Sequence, residues 1–220
     1  MENFDRVILI DKPANMTSFG VVARIRCKLT KEAGRRVKVG HTGTLDPFAT
    51  GLMILLSGKF TRRADEFSKL DKVYEATIHL GATSTTGDPE GEITKTPVLQ
   101  DLVLQRVEEA LQKFVGKITQ TPPIYSAIKV GGERAYKLAR KGKTPEIPPR
   151  QVEVYSIQLL EYVYPILKIR AHVSSGTYIR TLAEDIGKEL KTGAYTVELR
   201  RIKVGQFDIA QAQTLEKFMN

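Results

Sequence analysis

The chain has 220 residues and a mass of 24.6 kDa, which permits one large hydrophobic core or two small ones. Hydrophobic residues make up 41% of it and charged residues 27%, and no apolar run reaches the roughly 18 to 20 residues of a membrane-spanning helix. This composition excludes the disordered, collagen-like and membrane-spanning classes, and the formal net charge of +9 favours a polyanionic partner.

Alternation of apolar and polar residues predicts six strands. In chain order they cover residues 7–10, 52–56, 73–80, 152–160, 166–173 and 196–204. Strands that come in groups, with helices between the groups, differ from the regular alternation of a parallel βαβ array. The sequence therefore predicts an α+β fold with a mixed, largely antiparallel central sheet flanked by helices.

Apolar residues at helical spacing predict three helices between the strands. Thr17 or Ser18 can cap the first, and its apolar face consists of Val21, Val22, Ile25 and Leu29. The second is marked by Leu102, Val103, Val107, Ala110, Leu111 and Phe114. The third covers about 177–190, with a buried stripe of Ile179, Leu182, Ala183, Ile186 and Leu190.

The amino terminus and the metal-binding residue types limit where and how the protein works. Acids within the first five residues are followed at once by a strand, so we expect no secretory or transit peptide and a cytoplasmic location. Cys27 is the one cysteine and cannot form an internal disulfide. His41, His79 and His172 lack the spacing of a zinc site, so we expect no bound metal.

The positive charge is concentrated in two segments. Residues 24–38 contain seven basic residues and one acid, and residues 129–150 contain seven and two. The second segment lies within residues 122–150, which paired prolines bound at each end and which contain Gly131-Gly132 and a short basic helical pattern over 133–141. We call residues 122–150 the insertion, and such an excursion usually has a binding role. Two solvated basic helices remain the simpler alternative.

The densest motif is Gly-His-Thr-Gly-Thr-Leu-Asp-Pro-Phe-Ala-Thr-Gly over residues 40–51. Its three glycines permit turns, and Pro47 biases Asp46 toward an extended backbone. The apolar neighbours Leu45 and Phe48 can desolvate the Asp46 carboxylate and make it a better nucleophile or base. An ordinary Asp-Pro turn is the equally favoured alternative.

This motif resembles the catalytic-aspartate loop of the TruB family of tRNA pseudouridine synthases. Further segments match in the same order. They are Asp11-Lys12-Pro13 with Thr17-Ser18, Lys72-Val73-Tyr74-Glu75, Pro122-Pro123-x-Tyr125-Ser126-Ala127, Ser175-Gly176-Thr177-Tyr178-Ile179-Arg180 and Leu199-Arg200-Arg201. The similarity spans residues 6 to about 216, so coincidence is improbable.

The resemblance implies the pseudouridine synthase fold with an RNA-gripping insertion, and isomerisation of uridine 55 in the T-loop of tRNA without a cofactor. By the family's pattern Asp46 is the nucleophile or electrostatic participant, at either C6 of the base or the ribose anomeric carbon. Tyr74 would be catalytic too, stacking on the flipped uracil and assisting removal of the C5 proton, and Arg180 would pair with Asp46. The substrate-binding residues would be Lys12, which supports the site or the amino-terminal segment, His41, which enters the disrupted RNA loop, and Leu199, which packs against the base.

The residues alone leave some of these roles open. Tyr74 and Leu199 also fit an ordinary core position. Arg180 falls in the first turn of a helix, where a cation opposes the helix dipole, so a nearby anion would rationalise it better than a surface position. Four basic residues of the insertion are the predicted contacts to the RNA backbone, namely Arg134, Lys137, Arg140 and Lys141.

We expect residues 1–220 to form a single catalytic domain that acts as a monomer on the T-arm stem-loop of tRNA, without a membrane. Many family members continue into a carboxy-terminal RNA-binding domain of the PUA type, and we expect none in this chain. A nonenzymatic RNA-binding or RNA-folding module on the same scaffold is the alternative function. It would explain the charge but has no need for Asp46 and Arg180 together.

Overall fold

A computed structural model describes residues 4–97 and 102–220. The strands in the described residues are β1 (Val7–Lys12), β2 (Val39–His41), β3 (Thr50–Ser57), β4 (Lys72–Leu80), β5 (Ala82–Ser84), β6 (Ile93–Lys95), β7 (Gly116–Gln120), β8 (Lys129–Val130), β9 (Glu133–Arg134), β10 (Arg150–Val163), β11 (Ile166–Val173), β12 (Ala194–Val204), β13 (Phe207–Asp208) and β14 (Gln213–Thr214).

The α-helices in the same ranges are α1 (Ser18–Ala33), α2 (Ala64–Ser68), α3 (Leu104–Gln112), α4 (Ala135–Arg140), α5 (Ile179–Leu190) and α6 (Leu215–Met219). Short 3-10 helices cover Gly58–Arg63 and Ile209–Gln211. Among the described helices, none has the length and apolar character needed to cross a membrane.

The chain divides into two compact units. Unit 1 comprises Met1–Tyr74 and Leu199–Asn220, and unit 2 comprises Glu75–Glu198. In unit 1 the strand order is β14-β1-β3-β12, with β2 paired to β3 and β13 paired to β12. The β1–β3 pair is antiparallel and runs from Val7 opposite Leu56 to Lys12 opposite Gly51, whereas β3 and β12 are parallel.

Strand β3 forms the centre of the unit 1 core, because every residue after Thr50 in it is buried. One core cluster groups three β3 residues with side chains of α2 and β12, and its buried members are Leu52, Ile54, Leu56, Phe67 and Val204. The α1 face of Val21, Val22, Ile25 and Leu29 is also buried, as the sequence predicts. Packing therefore fixes both ends of β3. One of these ends contains Thr50 and Gly51, the last two residues of the motif over residues 40–51.

In unit 2 the strand order is β12-β4-β11-β10-β7. Strand β10 pairs antiparallel with both β11 and β7, and two small hairpins are formed by β5 with β6 and by β8 with β9. Helix α5 contacts α3 and buries its predicted stripe. The α+β class with a mixed, mostly antiparallel sheet is confirmed.

The prediction for the two later helices was wrong at their first residues. Helix α3 begins at Leu104, because Val103 is its extended N-cap and the Leu102 carbonyl accepts a hydrogen bond from Tyr162 Oη at 2.6 Å. Helix α5 begins at Ile179 instead of Thr177, because the Tyr178 N–H donates to the side-chain oxygen of Gln120 in β7. Tertiary hydrogen bonds thus shorten both helices at their amino-terminal ends.

Candidate active site

Asp46 lies in the loop between β2 and β3, and its side chain is partly buried. The Ala49 N–H donates to the Asp46 carbonyl at 3.2 Å and closes a turn around Pro47. Leu45 and Ala49 on either side are buried. The Asp-Pro turn therefore exists and carries a partly buried aspartate between buried neighbours, in a loop that we call the aspartate loop (residues 42–49).

Ser18 fixes the residue immediately before Asp46. Its hydroxyl accepts a hydrogen bond from the Leu45 N–H and donates one to the Leu45 carbonyl, both at 2.8 Å. Ser18 is the first residue of α1 and is buried, while Thr17 caps the helix by accepting from the Gly20 N–H at 3.0 Å. The two adjacent hydroxyls thus have separate functions, one in the aspartate loop and one in the helix.

Lys12 fixes the residue after Asp46. Its side chain is fully buried, and Nζ donates to the carbonyls of Pro13, Met16 and Pro47 at 2.7, 2.6 and 3.1 Å. A buried ammonium surrounded by carbonyl oxygens holds the amino-terminal segment against the aspartate loop. This geometry suits the supporting role that the resemblance implied for Lys12, and direct substrate contact by Lys12 stays a prediction.

Arg201 of β12 supports the aspartate loop through hydrogen bonds of its side chain. Its guanidinium is buried and donates from Nε to the Leu52 carbonyl at 2.7 Å and from Nη2 to the Gly43 carbonyl at 3.1 Å. Gly51 has φ +105°, and a Cβ there would lie 2.3 Å from the Arg201 carbonyl oxygen. The last glycine of the motif is therefore required by the close approach of β12 to β3.

Arg200 forms an ion pair at the edge of the same region. Its Nη1 and Nη2 donate to the two carboxylate oxygens of Asp11 at 3.1 and 2.7 Å, and Nη1 also donates to Thr50 Oγ1 at 3.3 Å. This paired geometry joins β1, β3 and β12 through side chains. The Asp-Lys-Pro and Leu-Arg-Arg segments of the sequence thus meet around the aspartate loop.

The other predicted site residues of unit 1 lie in strands. His41 ends β2 opposite Leu55 of β3, and its side chain is partly buried. Tyr74 and Leu199 are buried, with 8% and 7% of their surfaces exposed. Their burial agrees with the core alternative, and contact with a base stays a prediction for both residues.

Lys72, two residues before Tyr74, is a buried cation. Burial lowers its pKa from 10.5 to about 8, and the positive charge of Arg201 contributes in the same direction. Its Nζ donates to the carbonyls of Ser68 and Leu70. The Lys-x-Tyr segment therefore contains a lysine that loses its proton more readily than an exposed lysine does.

Arg180 of unit 2 is buried, which excludes the surface alternative. Its Nη1 donates to the Thr86 carbonyl at 2.7 Å and to Asp88 Oδ2 at 3.0 Å, and its Nη2 donates to the Tyr125 carbonyl at 2.8 Å. The position of Arg180 in the first turn of α5 led us to expect a nearby anion. Asp88, in the same unit, is that anion. Asp46 belongs to unit 1, and its pairing with Arg180 stays a prediction.

Asp88 is held by its own loop. Its Oδ1 accepts hydrogen bonds from Thr86 Oγ1 at 2.6 Å and from the Glu90 N–H at 3.0 Å. Beside it, burial raises the pKa of Glu184. The Arg180–Asp88 pair is therefore a fixed unit, and removing one partner from such a buried pair costs about 3–5 kcal/mol.

The insertion is attached at both ends to the Ser-Gly-Thr-Tyr-Ile-Arg segment. Near its start, the Tyr125 carbonyl accepts from Arg180. At its end, Arg150 donates to the Gly176 carbonyl and places its guanidinium 5.0 Å from the centre of the Tyr178 ring. Both ends of the insertion thus contact the segment that contains Arg180.

Between these ends the insertion is a small hairpin, β8–β9, followed by α4, which agrees with the predicted helical pattern. Arg134, Lys137, Arg140 and Lys141 are all exposed. Lys141 donates a hydrogen bond to Glu133 at 2.6 Å, and this bond, with the positive charge of Lys141, lowers the pKa of that carboxyl. Of the four predicted phosphate contacts, Lys141 therefore has an acidic partner within the insertion.

The sequence alone did not identify three residues that organise these sites. Ser18 was seen only as a possible helix cap and as part of a matched segment, and Arg201 only as part of a matched segment. Asp88 carried no signal beyond the turn-forming run Thr85-Thr86-Gly87-Asp88. Among the described residues, no group of three or more His, Cys, Asp or Glu side chains could hold a metal ion.

Comparison with known proteins gives consistent matches along the chain. A family model described as "TruB family pseudouridylate synthase (N terminal domain)" matches residues 29–179, and one described as "tRNA pseudouridylate synthase B C-terminal domain" matches residues 180–220. A tRNA pseudouridine synthase B of Phocaeicola vulgatus is 46% identical over 213 residues, which cover 96% of this chain and 91% of the relative. One from Aquifex aeolicus is 44% identical over 219 residues, covering 98% and 74%.

Among solved structures, the chain is similar to a chain described as "Crystal Structure of a Cbf5-Nop10-Gar1 Complex", with a TM-score of 0.73 and 31% identity. The match covers 97% of this chain and 53% of the other, so this chain spans about half of the other's length. A second similar structure, an H/ACA RNP bound to a substrate RNA containing 2′-deoxyuridine, has a TM-score of 0.69 and 28% identity over 97% of this chain and 52% of the other.

Proposed function

The chain belongs to the TruB family of tRNA pseudouridine synthases, and we propose that it converts uridine 55 in the T-loop of tRNA to pseudouridine, with Asp46 as the catalytic carboxylate. The observation that carries this proposal is the aspartate loop. Backbone atoms on both sides of Asp46 are held by buried side chains, Ser18 at Leu45 and Lys12 at Pro47. A loop that served only as a turn would not require such fixation of the backbone on both sides of its aspartate.

The reaction exchanges one glycosidic bond for another within the same nucleotide. The bond from N1 to the ribose C1′ breaks, the base turns, and a bond from C5 to C1′ forms. The C5 proton leaves to solvent and N1 gains a proton, so the net change is an isomerisation that requires no cofactor. A carboxylate can assist by attack at C6 of the base or at C1′, and both routes use Asp46 in its ionised form.

A uridine inside a folded T-loop must leave its stack before the chemistry, at an energetic cost of a few kcal/mol. An aromatic side chain recovers part of this cost by stacking on the extruded base. In our proposal Tyr74 stacks on the uracil, Leu199 packs against it, and His41 fills the space that the nucleotide leaves in the RNA.

Arg180 completes the proposed catalytic set by pairing with Asp46. The planar guanidinium of arginine has five N–H donors, and in this protein its hydrogen bonds include those to Thr86, Asp88 and Tyr125. Its orientation is thus determined within unit 2 before any substrate binds. A preorientated guanidinium can hold a carboxylate in one geometry without a large loss of entropy.

The proposed substrate is the T-arm stem-loop of tRNA, with the exposed basic residues of the insertion as contacts to the phosphate backbone. The protein acts as a monomer in the cytoplasm in this proposal. A stem-loop of the T-arm should then be a competent minimal substrate, with full-length tRNA only modestly better. Values of kcat/KM on the two RNAs test this point, and an unmodified stem-loop would contradict it.

Release of tritium from RNA labelled at C5 of uridine tests the reaction itself. A pseudouridine synthase releases one tritium to water for each product formed. The nonenzymatic RNA-binding alternative predicts RNA binding in a filter assay with no tritium release at any enzyme concentration.

A further inference from the structure

The basic segment of residues 24–38 has no role in the proposed site. It carries seven basic residues and one acid, against seven and two in residues 129–150 of the insertion. Most of it belongs to α1, and the remainder includes an exposed basic tail after that helix, Arg35, Arg36 and Lys38. This density of positive charge lies entirely within unit 1.

Helix α1 and the segment from Val37 to the aspartate loop run side by side in opposite directions. At one end Ser18 bonds to Leu45, and at the other the Val37 N–H donates to Thr30 Oγ1 at 3.2 Å. The helix also contacts β2, which lies between these two ends. At 1.5 Å per residue, the twelve positions from Ser18 to Thr30 span roughly 18 Å, so the basic tail lies about that far from the aspartate loop.

Phe19 marks the end of this surface beside the aspartate loop. It follows Ser18 directly, and 66% of its surface is exposed. Arg26, two turns further along α1, places its guanidinium 5.8 Å from the centre of the Phe19 ring. An aromatic face with an adjacent arginine is the arrangement on which unpaired nucleic-acid bases stack.

The acid in the segment does not cancel this charge. Glu32 lies 3.7 Å from Lys28, and Lys28 also donates to the Met219 carbonyl at 2.8 Å. That pair lies on the side of α1 that faces α6. The positive charge on the side of Phe19 and Arg26 therefore has no acidic residue of its own segment opposed to it.

We propose that Phe19, Arg26, Arg35, Arg36 and Lys38 form a second RNA-binding surface, the α1 strip, which holds the RNA strand that flanks the target uridine. Phe19 stacks on an unpaired base next to the extruded nucleotide, and the cations of the strip contact the phosphates that follow. The inference rests on the proposed function for the identity of the RNA. The α1 strip is distinct from the insertion, because the strip belongs to unit 1 and the insertion to unit 2.

Salt dependence of binding to a T-arm stem-loop tests the phosphate contacts. The double variant R35A/R36A should flatten the slope of log Kd against log salt by roughly 1.4–1.8, the range for two fewer neutralised phosphates on single-stranded or duplex nucleic acid. The matched control is K203A/K217A, which removes the same charge from two exposed residues of unit 1. The control should weaken binding slightly at low salt and leave the slope within experimental error of wild type.

The stacking contact has its own test. Phe19→Ala should raise Kd about tenfold, since one base stack is worth on the order of 1–3 kcal/mol, whereas Phe19→Tyr should retain wild-type affinity. Phe19→Leu is the control for apolar contact alone and should resemble Phe19→Ala. Because Phe19 is exposed, the three variants should unfold at the same denaturant concentration as wild type.

The single cysteine of the chain provides a direct probe of the strip. Cys27 is exposed on α1, next to Arg26. Saturating stem-loop RNA should slow its alkylation by N-ethylmaleimide severalfold in the wild type, and less in R35A/R36A at the same RNA concentration.

Two outcomes separate this inference from the proposed function. A wild-type protein that forms pseudouridine, while R35A/R36A keeps the wild-type slope and Cys27 stays fully reactive with RNA bound, would overturn the α1 strip alone. A wild-type protein that forms no pseudouridine, while the slope and the alkylation rate change as expected, would overturn the enzymatic assignment and support the RNA surface.

Discussion

Replacement of Ser18 by alanine should slow the chemistry while the protein stays folded. The hydroxyl makes two hydrogen bonds to Leu45, and both of its partners are buried backbone groups. Each group left unsatisfied costs about 1–3 kcal/mol, which a domain of roughly 5–15 kcal/mol stability can tolerate. Asp46 follows Leu45 directly, so the absence of these bonds frees the backbone next to the carboxylate that we propose as catalytic.

The expected decrease in rate follows from geometry. A displacement of about 1 Å at a reacting group costs on the order of 10²-fold in rate. Ser18→Ala should therefore lower the single-turnover rate of pseudouridine formation by about 10–10²-fold, while the Kd for RNA stays near the wild-type value. Single-turnover tritium release at saturating enzyme gives the rate, and urea unfolding gives the stability of the same preparation.

Thr17→Ala is the matched control, since it removes the adjacent hydroxyl from the same helix start. Its Oγ1 accepts the helix-capping hydrogen bond from the Gly20 N–H, and removal of a helix cap costs about 1 kcal/mol. The control should destabilise the protein by about that amount, less than Ser18→Ala does, and retain a near wild-type rate. Equal rates for Ser18→Ala and Thr17→Ala would refute the claim that Ser18 positions the catalytic loop.

Three further predictions concern other parts of the site. Arg180→Lys should keep most of the RNA affinity and lose on the order of 10²-fold in single-turnover rate, because lysine cannot reproduce the planar set of donors; a near wild-type rate would remove Arg180 from the catalytic set. Alanine at the four basic residues of the insertion should flatten the salt slope of RNA binding by about one unit for each phosphate that the protein no longer neutralises. Among the single variants, Lys141→Ala should change the slope least. An unchanged slope in the quadruple variant would show that the four residues do not touch RNA. Burial lowers the pKa of Lys72 from 10.5 to about 8, so the unfolded chain binds more protons in that window and stability rises with pH across it. The free energy of unfolding of wild type minus that of Lys72→Met should thus increase by about 2 kcal/mol from pH 8 to about 10, and a constant difference would contradict the burial of a charged amine.

Local patterns in the sequence were sufficient to predict the longest strands and helices. The third helix showed its buried stripe at helical spacing, and strand β11 was predicted with the bounds that the structure has, Ile166–Val173. Strand β7 was missed because its burial pattern leaves only Gln120 buried. Its pairing with β10 determines it, and that pairing is distant in sequence.

The candidate site likewise combines features that the local sequence predicts with features that only the fold determines. The glycines, the proline and the apolar neighbours of its own segment made Asp46 a candidate, with an ordinary Asp-Pro turn as an equally favoured alternative. The groups that hold its loop come from positions far along the chain, since Arg201 donates to Gly43 across 158 residues. Asp88 resembled any turn aspartate, because only the fold brings Arg180 to it across 92 residues. Local pattern thus predicts the candidate carboxylate, and tertiary contact determines what supports its loop.

The central claim is that the Asp46 carboxylate performs the chemistry. The substitution Asp46→Asn would preserve the shape of the side chain and its turn while removing the charge. The measurement is tritium release from C5-labelled T-arm RNA under single-turnover conditions, with RNA binding measured on the same sample. We predict that the variant folds, binds the RNA with near wild-type affinity and releases no tritium above background, and release at the wild-type rate would contradict the account.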